Sequence, residues 1–132
     1  MVSFISGFTS EPVLVYKDMK TIKEYQDVIE TVLLPFTRSY PGRKKVIFVA
    51  YTGHGCTDGD KAYTFAVLDD AKGSIYPIEI KMINIGQRED TYVFGILSCC
   101  RTKRPKQVSD NLFSEADEPN LALFKGSIIY GC

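Results

Sequence analysis

Apolar side chains recur at helical spacing over one stretch of the chain, at Ile22, Tyr25, Ile29, Val32, Leu33 and Phe36, with polar residues between them. This period predicts a helix with a single apolar face that covers a sheet. Its start is marked by Thr21-Ile22-Lys23-Glu24, a capping box in which the Thr21 hydroxyl accepts from the Glu24 amide while Glu24 reaches back to the cap. Pro35 and the turn Ser39-Tyr40-Pro41-Gly42 are expected to end it. Elsewhere the apolar residues run together. After the basic turn Arg43-Lys44-Lys45, Val46 to Tyr51 is almost continuously apolar and β-branched, and Thr91 to Ser98 repeats the pattern. Such runs predict strands buried on both faces.

Shorter strands are predicted over 12–16, 63–68 and 127–130. Pro77 suits a first helical position, and Ile78, Met82 and Ile85 support a helix to about Arg88, although Ile80 and Ile83 blur its face. The stretch Thr102 to Asn120 is polar, basic at its start (Lys103, Arg104, Lys106) and acidic later (Asp110, Glu115, Asp117, Glu118), and reads as a surface loop. Strands alternating with helices imply right-handed crossovers and a mainly parallel sheet with helices on both faces, a three-layer α/β sandwich. In such sheets the chemistry sits at the carboxyl ends of the strands. Both long apolar runs stop there at reactive residues: the first at Thr52-Gly53-His54-Gly55, the second at Cys99-Cys100-Arg101.

Composition narrows the setting. A chain of 132 residues supports one domain over 1–132. Its 16 basic and 16 acidic side chains leave no net charge, which disfavours non-specific binding to nucleic acid or to an anionic membrane surface. The apolar runs are far shorter than the roughly 20 residues that cross a bilayer. The opening Met1 to Gly7 lacks the basic region of a signal peptide. Of the four cysteines, Cys99 and Cys100 are adjacent, an awkward framework for disulfides, so reduced thiols in a cytoplasmic setting are expected.

A cysteine nucleophile needs a base or ion-pair partner, because the thiolate attacks and an unperturbed thiol is mostly protonated near neutral pH. His54 is the only histidine in the chain. It lies between two glycines, where the backbone can turn sharply and let the imidazole protrude. Cys100 ends the other run, and the amides of Gly55 and Cys100 are candidates for an oxyanion hole.

These residues also carry a resemblance. Phe48-Val49-Ala50-Tyr51-Thr52-Gly53-His54-Gly55 resembles the Tyr-Ser-Gly-His-Gly block of caspase-like cysteine peptidases, the superfamily of caspases, metacaspases and paracaspases. Gly95-Ile96-Leu97-Ser98-Cys99-Cys100-Arg101 resembles the block ending Gln-Ala-Cys-Arg-Gly in caspases or Asp-Ser-Cys in metacaspases. The histidine precedes Cys100 by 46 residues (100 − 54), close to the roughly 50 of the caspase pattern.

The resemblance spans roughly residues 46 to 101. It implies a caspase-like fold, Cys100 as nucleophile, His54 as its base, the Gly55 and Cys100 amides at the oxyanion, and a protein or peptide as substrate. It further implies a large-subunit-like part that lacks edge strands at both ends and is completed by a small-subunit-like segment or a second chain. In this alignment Ser98 holds the place of a substrate-pocket residue that is Asp in metacaspases and Gln in caspases, and Thr102 replaces a caspase Gly, so cleavage specificity does not carry over. The polar loop falls where the family's two subunits are processed, which makes Lys103 and Arg104 candidate cleavage points.

Each candidate has a plainer reading. His54 can be a turn histidine held by backbone hydrogen bonds, and Cys100 a small buried hydrophobe, the commonest fate of a cysteine thiol. Strand alternation makes Cys99 the better candidate for that fate. Zinc bound by His54, Cys56, Cys99 and Cys100 is disfavoured because adjacent cysteines rarely converge on one tetrahedral ion. Calcium at Asp58, Gly59, Asp60 and Asp69 lacks the EF-hand spacing, so no metal or other cofactor is expected. A different class remains open: an inactive caspase-like domain that binds or regulates partners without cleaving them.

Overall fold

The computed structural model describes residues 15–57, 63–68, 73–103 and 119–131. Helix α1 (Ile22–Val28) starts at the expected cap, where the Glu24 amide donates to Thr21 Oγ1 at 3.2 Å. The return arm closes one residue earlier than the box predicts, with the Lys20 amide donating to Glu24 Oε2 at 3.3 Å. The helix does not stop at Pro35. It widens into a π-helical segment (Ile29–Leu33), in which the Leu34 amide donates to the Ile29 carbonyl five residues back, and continues as α2 (Leu34–Arg38). Pro35 has no N–H and its ring crowds the carbonyl four residues before it, so a wider turn lets the helix pass it. The extra residue rotates the face beyond it: Phe36, expected inside, is 39% exposed, and Thr37 takes the buried place.

Three strands form a parallel sheet in the order β1 (Lys45–Thr52), β5 (Thr91–Ser98), β7 (Gly126–Gly131). The central strand β5 pairs with both neighbours, Lys45 opposite Thr91 through Thr52 opposite Ser98, and Val93 opposite Gly126 through Ser98 opposite Gly131. A second, smaller sheet runs β4 (Ile75–Tyr76), β3 (Thr64–Val67), β2 (Gly55–Thr57), β6 (Thr102–Lys103), of which the sequence pattern predicts only β3. Helix α3 (Ile78–Gly86) has Pro77 at its N-cap rather than inside its first turn. Ile78, Ile80, Met82, Ile83 and Ile85 are all buried, which is why no single apolar face could be read from them. Val15 and Tyr16 are exposed and lie outside any strand, while the rest of the predicted 12–16 strand, and most of the 102–120 loop, fall outside the described residues.

The chain is therefore α/β with a parallel sheet and helices, as its pattern predicts, but the expectation of strands buried on both faces is corrected. Ile47, Val93 and Leu97 share one core with Tyr25, Ile78, Met82 and Ile85, so both helical stretches pack on the same side. On the other side Val46 is 48% exposed, Phe48 64%, Phe94 39% and Ile129 61%, and the Phe48 and Phe94 rings stack with centroids 5.6 Å apart. Among the described residues no helix covers that face. A continuous apolar run records that both faces are hydrophobic, not that both are filled. Truncating fully buried Leu97 to Ala should lower stability by about 3 kcal/mol in chemical denaturation. Phe48→Ser should cost about 1 kcal/mol, the loss of its stack on Phe94, and a loss as large as that of Leu97→Ala would mean that the Phe48 face is packed.

Candidate functional site

Parallel register brings the two reactive turns together. Along β1 and β5 every residue pairs with the one 46 positions later, ending at Thr52 opposite Ser98. Strands β2 and β6 resume the same offset, with Cys56 opposite Thr102 and Thr57 opposite Lys103. Between the two ladders the backbone crosses the gap in three residues on each side: Gly53, His54 and Gly55 after β1, and Cys99, Cys100 and Arg101 after β5. His54 and Cys100, themselves 46 apart, occupy matched places in those crossings.

Both turns are held by backbone and close packing. The Gly53 amide donates to the Ser98 carbonyl at 3.4 Å, one step beyond the paired β1–β5 register. The His54 carbonyl accepts from the Tyr51 hydroxyl at 2.7 Å and from the Val67 amide at 2.9 Å, leaving the residue itself exposed. Gly53 has φ 156°, and a Cβ there would lie 2.8 Å from the Tyr51 hydroxyl oxygen. Gly55 is more tightly constrained. A Cβ at that position would stand 2.5 Å from Cys99 Sγ and 2.7 Å from the Cys100 carbonyl oxygen, so the first turn lies directly against the second. The glycines that read as freedom for a sharp turn are thus also demanded by close contact, Gly53 with the Tyr51 ring and Gly55 with the cysteine pair.

The two cysteines divide as alternation expects: Cys99 is 4% exposed within the core, and Cys100 is exposed. Ser98, the pocket candidate, is half-buried at the end of β5. Among the described residues no three His, Cys, Asp or Glu side chains are grouped to hold a metal ion, and Asp58, Gly59, Asp60 and Asp69 lie outside them. A cavity bordered by Thr37, Lys45, Arg88 and Asp90 sits where β1 and β5 begin, at the opposite end of the strands from His54 and Cys100.

A polar cluster beside the second turn was not read from the sequence. Arg101, the residue after Cys100, donates from Nε to Thr64 Oγ1 at 2.9 Å, and its guanidinium lies 4.1 Å from the centroid of the Tyr130 ring. The Tyr130 hydroxyl donates to Glu79 Oε1, and the Thr64 amide donates to Glu79 Oε2 at 2.9 Å. Glu79 is only 1% exposed. The four residues come from positions 64, 79, 101 and 130, on β3, α3, the turn after β5, and β7. No local spacing joins them, and the burial of a glutamate in a helix of isoleucines was the only available hint.

Several phenols in this region ionise late. Burial, then the hydrogen bond to Glu79, pushes Tyr130 up to about 12, and burial, then the charge of Glu30, pushes Tyr76 up to about 12. Tyr51 is raised further, first by burial and then by Tyr25 and Cys99 beside it. Comparison with protein-family models, with curated proteins and with solved structures found no match.

Two outcomes follow from this geometry. Gly55→Ala should destabilise the protein by about 2 kcal/mol, because Cys99 Sγ and a backbone carbonyl must both shift; an unchanged melting temperature would refute the close approach. For a tyrosine whose folded pKa lies above its unfolded value near 10, the neutral form is favoured by folding, so the contribution is complete below pH 10 and lost as pH rises towards 12. Stability should accordingly fall across that window, more steeply in the wild type than in Tyr130→Phe, and the native phenolate absorbance should develop at higher pH than in denaturant.

Proposed function

We propose that this chain carries the catalytic part of a caspase-like cysteine endopeptidase acting through a His54–Cys100 dyad. The observation that supports this reading most is the single 46-residue register on both sides of the gap, in which the chain's one histidine and an exposed cysteine hold matched positions within the two turns that end parallel strands. Exposure suits both residues to a substrate approaching from solvent, whereas Cys99, in the core, is unsuited to it.

In this mechanism His54 takes the proton from the Cys100 thiol, and Sγ attacks the peptide carbonyl carbon. The carbonyl electrons move onto oxygen, where the Gly55 and Cys100 amides stabilise the charge. The carbon–nitrogen bond then breaks as the imidazolium passes its proton to the leaving amine, leaving a thioester. Water, giving a proton to His54, attacks that thioester, and the carboxylic acid product leaves as the thiol is restored. Ser98 borders the site as a pocket residue, and a small-subunit-like segment or second chain completes the groove.

A second reading, a domain that binds partners without cleaving them, draws on the uncovered apolar face of Val46, Phe48, Phe94 and Ile129, a surface suited to association. Turnover of a mixed peptide library separates the two. The peptidase reading expects cleavage that drops by at least about 10³-fold in Cys100→Ala and in His54→Ala, with most activity kept in Cys99→Ala. No turnover in the wild type would leave the binding reading, and full turnover in Cys100→Ala would overturn the assignment of Cys100 as nucleophile.

A further inference from the structure

The cluster around Arg101 suggests what fixes the second turn. Arg101 is held at two points, by a hydrogen bond to Thr64 on β3 and by the Tyr130 ring on β7. Both anchors converge on one buried group: Glu79 accepts from the Tyr130 hydroxyl and from the Thr64 amide. A buried carboxylate is costly unless it is hydrogen-bonded. Here it has two donors, and it sits in the first turn of α3, where the helix dipole favours negative charge. The arrangement ties the large sheet, the small sheet and α3 together at the residue next to Cys100. A guanidinium stacked on a ring and donating to a fixed hydroxyl is held in one place, on the residue that directly follows Cys100 in the chain.

We propose that Arg101 is the positioning residue of this site: anchored by Thr64 and Tyr130, and through them by Glu79, it fixes the backbone of Cys100 and keeps a positive charge beside its thiol. The proposal rests on the reading of Cys100 as the reactive cysteine, and goes beyond it by assigning roles to residues outside the dyad. In that role Arg101 touches neither the reacting atoms nor the proton in flight; it acts through the placement and electrostatic surroundings of Cys100.

The test compares alkylation of the Cys100 thiol by anionic iodoacetate and by neutral iodoacetamide in the full chain at neutral pH, with fragmentation mass spectrometry separating Cys100 from Cys99. Both reagents consume the thiolate, so their rate ratio cancels the extent of ionisation and reads the local charge. A unit charge some 7 Å away in water changes that ratio about threefold. Arg101→Gln should lower the iodoacetate-to-iodoacetamide ratio by about that factor, Arg101→Lys should fall between it and the wild type, and Tyr130→Leu, which removes the platform but keeps the charge, should also fall between them. A role in stability alone would move both rates together and leave the ratio at its wild-type value, which would overturn the proposal. If Arg101→Gln does not fold, Tyr130→Leu decides in its place. The peptide assay is independent: a lowered ratio without peptide turnover keeps the Arg101 assignment and removes the peptidase reading, and turnover with an unchanged ratio does the reverse.

Discussion

Pairing of β1 with β5 is the constraint from which the rest of the structure follows. Eight consecutive residues of each strand are matched in parallel, and their carboxyl ends open into turns of equal length before the same offset resumes between β2 and β6. Parallel strands cannot be joined by a tight turn; the crossover from Thr52 to Thr91 must pass over the sheet, and it carries β2, β3, β4 and α3 on the way. Register and site are therefore one property. A slip of one residue would turn the buried side chains of β5 outward and exchange the environments of Cys99 and Cys100. It would also bring a residue other than Gly55 against the cysteine pair, where no side chain fits.

Glycine contact and the Glu79 cluster secure the two turns by different means. Gly55 works by shape, since a bare backbone allows an approach that any Cβ would block. Glu79 works by hydrogen bonding in a dry setting, where a partner lost costs more than a partner made returns. Its two acceptor oxygens serve separate elements, β3 through the Thr64 amide and β7 through Tyr130, so the small sheet cannot drift from the large one without stranding a buried charge. The second turn inherits that rigidity through Arg101.

How much of this was legible depends on how local the signal is. The capping box at Thr21, the strands over 46–51 and 91–98 and the ending of both strands in turns that carry His54 and Cys100 can be read because periodicity and cap chemistry are written in consecutive residues. The widening of the helix before Pro35 was not legible, since a proline reads as a stop and only the i−5 hydrogen bond of Leu34 shows how the helix passes it. Strands of two or three residues, such as β2, β4 and β6, are too short to hold a period and exist only because partners lie beside them. The cluster of Thr64, Glu79, Arg101 and Tyr130 is a tertiary fact with no counterpart in spacing.

The bare face of the large sheet bears on the same strands. Parallel sheets are almost always covered on both sides. Here Val46, Phe48 and Ile129 each leave about half or more of their surface in water, and each forgoes on the order of 1 kcal/mol of burial. Part of that loss is recovered within the sheet, because Phe48 and Phe94 stand opposite each other in the β1–β5 register and stack. The stacked pair stiffens the middle of β1 and β5, four residues upstream of Thr52 and Ser98 in each strand. The same pairing that leaves one face unfilled thus also opposes shear between the strands, and shear is the motion that would slide one turn past the other.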